Sequence, residues 1–154
     1  MVKGSNNYNK EKLVIAKLHR KIANQRKDFL HKQSLSIAKG YDLVCVEDLN
    51  MKAMAQGLSL GKGVHDNGWG MFTQFLAYKL SDRGKHFIKI ERSYPSSKLC
   101  GVCGYINNGL ELKHRTWTCD CCGTFHLRDH NAAGNIKVRG TQIYFEQVAI
   151  GQTA

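Results

Sequence analysis

Four cysteines, Cys100, Cys103, Cys119 and Cys122, stand as C-x2-C-x15-C-x2-C, and Gly104 and Gly123 follow the two pairs. Each Cys-x-x-Cys-Gly unit can fold as a tight knuckle in which glycine relieves the turn and backbone amides face the sulfurs. Four thiolates can then converge tetrahedrally on one metal. The spacing predicts a structural zinc ribbon. With sulfur in all four positions, no coordination site stays open for water, so the metal holds shape rather than doing chemistry. Cys121 leaves an alternative, in which it pairs with Cys119; the symmetry of two C-x-x-C-G units favours Cys122. Two disulfides in a secreted scaffold would use the same residues, and the composition argues against that reading.

A second set of chemically able side chains is acidic. Glu47 and Asp48 follow the unbroken apolar run Leu43-Val44-Cys45-Val46. Carboxylates at the carboxyl end of a buried strand open into the crevice where α/β enzymes bind ligands, although an acidic pair there also serves as a helix cap or turn. Asp129, within Arg128-Asp129-His130-Asn131-Ala132-Ala133-Gly134-Asn135-Ile136, would cap or open a helix whose dipole favours a carboxylate. Lys98, His114 and Arg115 lie near the ribbon, and His126 and His130 flank Asp129. Each reads either as a group for phosphate or metal, or as a solvated or packing residue.

The chain of 154 residues is 42% hydrophobic, enough for one modest domain carrying a small zinc insert. No charged-then-apolar leader opens it, and no apolar run approaches the roughly 18 residues that span a bilayer. A cytoplasmic protein is expected, where thiols stay reduced and cysteine pairs serve metals. Twenty-three Lys and Arg against twelve Asp and Glu give a formal charge of +11, which calls for a polyanion, with nucleic acid as the expected partner. A basic surface kept for solubility or for an acidic protein is the alternative. An anionic membrane fits less well, because no basic segment also carries a bulky apolar face.

The elements that must position these groups follow from periodicity. Residues 1–9 read as a flexible lead-in. From about Lys10 to Ala38 the pattern is helical, with Ile15, Leu18, Ile22 and Phe29 recurring at helical spacing and Lys17, Arg20, Lys21, Arg26 and Lys27 on other faces. That basic face is either simply solvated or laid along a phosphate backbone. Gly40 ends the helix, and Leu43 to Val46 suits a strand buried on both sides in a parallel sheet, with Cys45 in the core. The glycine-rich stretch between Asn50 and Gly68 reads as a mobile loop. A helix from Trp69 to about Arg83 sets Phe72, Phe75, Leu76 and Leu80 on one face, and Lys85 to Glu91 alternates like a half-exposed strand. Strand, helix, strand implies a right-handed crossover and a parallel pair. The ribbon runs from roughly Tyr94 to Phe125 with Trp117 packed on its hairpin. A last helix reaches about Val138, and the tail from Gly140 carries no readable chemistry.

Three segments stand in one order: Val46-Glu47-Asp48-Leu49-Asn50, the paired CxxCG knuckles, and Arg128 to Ile136. With Leu18 to Lys32 and Gly68-Trp69-Gly70-Met71-Phe72, they resemble the C-terminal half of the TnpB/OrfB proteins of bacterial insertion sequences, RNA-guided nucleases similar to the type V CRISPR effectors. The likeness runs from about Lys3 to Gly140. It implies an α/β fold, a partial RNase H-like (RuvC) core of parallel strands and helices interrupted by a zinc ribbon. The expected divisions are a core segment over 1–93, the ribbon over 94–126, a final core helix over 127–140 and a tail over 141–154. The family's metal-binding glutamate carries over to Glu47 and its catalytic aspartate to Asp129, with magnesium or manganese as cofactor. In such sites two divalent cations roughly 4 Å apart clamp the scissile phosphate.

The chain also departs from that pattern. The family uses a third carboxylate, on an opening strand resembling Ile-Asp-x-Gly, and nothing before Glu47 looks like it. Many members carry an acidic residue just before the Arg-Asp pair, where this chain has Leu127. Asp42 sits at the other end of the strand, and Asp48 should face away from Glu47 by alternation. The expectation is a C-terminal part of a transposon-associated RNA-guided DNA endonuclease. It would bind DNA and guide RNA and need an N-terminal nuclease half, separately encoded, for cleavage. The alternative is an inactive zinc-ribbon module that only binds nucleic acid. Under either reading, metal analysis of the purified protein should find one zinc per chain, and chelation should unfold the region from Cys100 to Cys122. A metal-free protein whose ribbon signals survive chelation would contradict the zinc assignment.

Overall fold

A computed structural model describes residues 2–50 and 68–151, so the stretch expected as a mobile loop lies almost wholly outside the described residues. The chain divides into two compact units, one of residues 1–41 and 51–84 and the other of residues 42–50 and 85–154.

In the first unit, α1 (Asn6–Gly40) packs on α2 (Trp69–Ser81). The helix α1 begins inside the stretch read as a flexible lead-in because Ser5 caps it: the Tyr8 amide donates to Ser5 Oγ at 3.3 Å. Its 35 residues extend about 52 Å, far longer than its 13-residue partner. Only Leu30, Ser34 and Ala38, one turn apart, are buried. The apolar stripe picked out by periodicity is instead exposed: Ile15, Leu18, Ile22 and Phe29 are all more than half accessible. Helical spacing locates a face correctly but says nothing about whether the fold supplies a partner for it.

Gly68 shows why the junction needs glycine. Its φ is +68°, and a β-carbon there would sit 2.7 Å from Leu30 Cδ1. Leu76 and Leu80 fill the seam, each burial contributing about 1.5–3 kcal/mol. Phe72 and Phe75, expected on the same buried face, are only half-buried. The position that periodicity missed is Lys79, which is buried and donates to the His31 carbonyl at 2.6 Å and to Ser34 Oγ at 2.7 Å. Ser34 in turn donates to the Leu30 carbonyl at 2.7 Å. The Lys79 ammonium also lies 5.5 Å from the centre of the Phe75 ring, which stacks on His31 at 3.8 Å. Desolvation, then Arg83, holds Lys79 below its usual range, and desolvation, then Lys79 and Lys27, does the same to His31.

In the second unit, β1 (Leu43–Glu47) and β2 (His86–Ile90) run parallel in register from Leu43 beside His86 to Glu47 beside Ile90. Both pack on α3 (Arg128–Ala149). That helix runs well past Val138, through residues expected to form an inert tail. Gly140 does not break it, because Gly140 is where the helix touches the sheet: a β-carbon there would fall into the Cys45 side chain and come 3.6 Å from Ile90. Tyr144 lies farther along the helix, its ring 4.6 Å from that of His86. The helix therefore runs antiparallel to the strands, its N-terminus toward their carboxyl ends. Ile88 and Ile90 are buried, but every residue of β1 is only half-buried, so the strand is not enclosed on both sides as its apolar run suggested. The ribbon hairpin, β3 (Thr116–Thr118) against antiparallel β4 (Phe125–Leu127), leads directly into α3.

Two outcomes check this packing. Gly134, mid-helix with open space at its β-position, should tolerate Gly134→Ala with a gain of up to about 1 kcal/mol, whereas Gly140→Ala should cost about 1–3 kcal/mol by overpacking; urea unfolding of the two variants decides it. His31 is held low in the folded state, so below about pH 6.5 the unfolded chain binds the extra proton. Stability should rise as pH climbs through that value, and His31→Phe should flatten this part of the profile.

Candidate metal centre and paired carboxylates

The two knuckles close as their sequence predicts. Gly104 and Gly123 have φ of +78° and +72°, and their amides donate back to the Cys100 and Cys119 carbonyls at 2.9 and 2.8 Å. The Cys100 amide donates to the Tyr105 carbonyl at 2.8 Å and the Cys119 amide to that of Thr124 at 2.9 Å, so each turn is fixed by its own backbone. The result brings the sulfurs of Cys100, Cys103, Cys119 and Cys122 within 4.8 Å of one another. Cys100 to Cys122 is 3.7 Å and Cys103 to Cys119 is 3.6 Å. A tetrahedron with metal–sulfur bonds of about 2.3 Å has edges of about 3.8 Å, whereas a disulfide brings its sulfurs to about 2 Å. The cluster can hold a metal such as zinc. Cys121 is exposed and outside the group, which resolves the alternative in favour of Cys122.

The electrostatics agree with a cation site. The Thr124 hydroxyl, 3.2 Å away, and the Thr124 amide stabilise the Cys122 thiolate and bring it down to about 6. The Tyr105 amide pulls Cys103 the same way, yet burial and the neighbouring sulfurs of Cys122, Cys119 and Cys100 push it well up. Four thiols this close cannot all ionise unless a cation offsets them. Cys100 and Cys119 are buried with Leu110 and Trp117 in the small core of the ribbon. His126, also buried, stacks on Trp117 at 4.6 Å and approaches the Cys100 sulfur with Nε2 at 3.1 Å, so it packs inside the ribbon and does not face a phosphate. His130 is exposed, Lys98 reaches the Asn108 carbonyl at 3.3 Å and His114 accepts from the Glu111 amide at 3.2 Å.

The carboxylates lie in the same unit. Glu47 ends β1, half-buried, and its Oε1 accepts a short hydrogen bond from Ser96 Oγ. Asp129 is exposed in the first turn of α3; it is not the cap, since Leu127 holds that place without a side-chain bond. Between them, Asn135 donates to the Ser96 and Leu99 carbonyls, both at 2.8 Å. Asn131 donates to the Leu99 carbonyl at 2.7 Å and accepts from the Gly101 amide at 3.0 Å. Asp129 precedes Asn135 by six residues, about 9 Å along the helix axis. The spare acids are committed elsewhere. Asp48 pairs with Arg92 at 2.8 Å, and Asp42, at the far end of β1, pairs with Lys85 at 3.2 Å. Among the described residues, the four cysteines are the one cluster of three or more metal-binding side chains. Sequence reasoning passed over Ser96, Asn131 and Asn135, although two asparagines one turn apart behind Asp129 were a visible signal.

A parallel strand pair backed by an antiparallel helix and joined to a four-cysteine ribbon defines an α/β segment with a built-in metal module. Residues 1–57 match the family described as "Probable transposase" (OrfB_IS605), and residues 69–136 match the Cas12f1-like TNB domain. A Streptomyces pristinaespiralis protein named "Putative RNA-guided DNA endonuclease" is 40% identical over 138 residues, covering 90% of this chain and 34% of its own length. InsQ of Escherichia coli (strain K12), named likewise, is 31% identical over 154 residues, covering 90% of this chain and 38% of its own. The fold also matches a chain of the Cas12f1–sgRNA–target DNA complex with a TM-score of 0.61 at 20% identity, over 84% of this chain and 39% of that one. Along 90% of its length the chain is similar to these two relatives, and it spans about a third of their length. Among its described residues no helix is long and apolar enough to cross a membrane.

The cysteine assignment can be checked directly. Cys122→Ser should lower bound zinc and unfold the hairpin, while Cys121→Ser should keep one zinc per chain; metal analysis with circular dichroism reads both. Equal loss in the two variants would contradict this ligand set.

Proposed function

We propose that this chain forms the carboxyl-terminal part of a RuvC-like, RNA-guided DNA endonuclease, contributing Glu47 and Asp129 to the catalytic metal site. The observation that carries the reading is the linkage of the two elements: Glu47, at the carboxyl end of β1, is hydrogen-bonded through Ser96 to Asn135 of the helix whose first turn holds Asp129. The matched relatives named as RNA-guided DNA endonucleases support the substrate class, and the family's site chemistry supports the roles. Carboxylate oxygens are hard donors and fit magnesium or manganese, which when bound would activate water and stabilise the leaving oxygen. Zinc at the four cysteines would hold the ribbon. Two carboxylates leave the cations and phosphate short of one anionic ligand. Because Asp42 lies at the far end of β1 from Glu47 and Asp48 pairs with Arg92, we assign that third ligand to a further segment of the kind the longer relatives carry beyond the matched stretch. The half-buried β1 has β2 on one edge and, among the described residues, no strand on the other, where such a segment would pair.

A binding-only role has its own support. Residues Lys17, Arg20, Lys21 and Lys27 are exposed along a helix with few acids, a form suited to tracking phosphates of DNA or guide RNA.

The experiment supplies the chain with the preceding portion of a longer relative and measures magnesium-dependent DNA cleavage. Cleavage should require both pieces, and Glu47→Gln or Asp129→Asn should reduce it by more than about 100-fold. Activity that survives both substitutions overturns the assignment. In the binding-only case, affinity persists without cleavage and falls with salt, by about 0.9 in log affinity per decade of salt for each phosphate neutralised on duplex DNA.

A further inference from the structure

We infer that Ser96 is a positioning residue for Glu47, and that Asn135 fixes Ser96 in turn, so the first knuckle of the ribbon sets the direction of the carboxylate. This inference rests on the metal-binding role proposed for Glu47.

A glutamate has three rotatable side-chain bonds, and at a strand end it has many orientations. One of its two oxygens is pinned here. Ser96 Oγ donates to Oε1, and among the described residues the Glu47 carboxylate makes no other hydrogen bond or ion pair, which leaves Oε2 available to a cation. Asp48, the next residue, shows the contrast, with one oxygen 2.8 Å from Arg92 and the other 3.9 Å from Lys89.

Ser96 is itself held more firmly than a surface serine. It is 6% exposed, its amide donates to the Tyr94 carbonyl at 2.8 Å and its carbonyl accepts from Asn135, which is 4% exposed. Pro95 precedes it with a fixed φ, and the Pro95 carbonyl accepts from the amides of Lys98 and Leu99 at 3.0 and 2.9 Å. The turn then enters Cys100 directly. Gly101 completes the lock, because a β-carbon there would lie 3.0 Å from Asn135 Oδ1 and 3.1 Å from Asn131 Oδ1. A serine serving only to satisfy a buried carboxylate would not need its backbone tied to the opposite helix. This one connects the cysteine turn, the helix bearing Asp129 and the oxygen of Glu47 within one hydrogen-bonded chain.

The test measures manganese(II) binding by electron paramagnetic resonance to the whole chain supplied with the preceding portion of a longer relative, with zinc content measured on the same samples. Wild type should bind, and Glu47→Gln should abolish binding. Ser96→Ala should weaken it by about 10- to 100-fold while zinc stays at one per chain, as expected when an outer ligand-orienting partner is lost. Asn135→Ala should act in the same direction, and Ser96→Thr, which keeps the hydroxyl, should restore near-normal affinity. If Glu47→Gln abolishes binding but Ser96→Ala does not weaken it, the positioning role is overturned and the metal-site reading stands. If wild type binds no manganese, or Glu47→Gln binds it unchanged, the metal-site reading fails and this inference with it. A Ser96→Thr protein as weak as Ser96→Ala, with zinc intact, would also overturn the role assigned to the hydroxyl.

Discussion

Asn131 and Asn135 direct their side-chain amides at the backbone of Ser96, Leu99 and Gly101, and the arrangement of the second unit depends on that clamp. A ribbon of this size has a hydrophobic core of four buried residues, two of them cysteines of the cluster, and so has little apolar surface with which to dock onto anything. Hydrogen bonds from a rigid helix supply the direction that hydrophobic burial lacks. Each buried amide bond contributes modestly, but leaving one of these groups unpaired would cost the full desolvation of a buried polar group. The clamp is therefore a constraint more than an adhesive, since it admits one orientation of the knuckle on α3.

The other anchor of that helix is the contact at Gly140, where it meets Cys45 and Ile90 closely enough to exclude a side chain. Glycine in a helix interior is a weak local choice, and its presence marks a tertiary demand. Between Gly140 and the asparagines, the helix is fixed against the sheet at one end and against the ribbon at the other. The Arg139 guanidinium adds a bond to Glu91 at 2.8 Å, just past β2, and Glu91 is held below its usual range by its own backbone and then by Arg139. That pair is partly exposed and contributes little by itself.

The legibility of these features in the sequence follows the range of the forces involved. The knuckles are local: spacing, glycine and sulfur chemistry lie within a few residues, and the cysteine cluster closed as the sequence implied. Strand β2 and helix α2 were readable for the same reason. What failed were judgements about partners. Ile15, Leu18 and Ile22 have helical periodicity without burial, because α2 is too short to reach them. Leu43 to Val46 look like a fully enclosed strand, yet are half-buried. Lys79 lies outside the apolar pattern of its helix and is nonetheless buried, because the His31 carbonyl and Ser34 hydroxyl accept its hydrogen bonds across the helix pair. The helix α3 extends past the expected end near Val138, because Gly140 is ordinary helix whose reason is contact with Cys45 and Ile90.

The two carboxylates raise a different question of physics. Glu47 and Asp129 enter on separate elements, so their relative placement depends on how α3 meets β1, and that meeting is secured at points away from both residues. A divalent site tolerates small errors in ligand direction poorly, since magnesium demands near-ideal octahedral geometry. A glutamate with one oxygen fixed from a knuckle, and an aspartate on the first turn of the helix that clamps the same knuckle, share a common reference. The ribbon, whose four cysteines can hold a metal, thus has a reason to sit between β2 and α3 in the chain. It is the body to which the Glu47 oxygen and the helix bearing Asp129 are both hydrogen-bonded, and a metal closed in by its four sulfurs would give it a rigidity that a loop of the same length lacks.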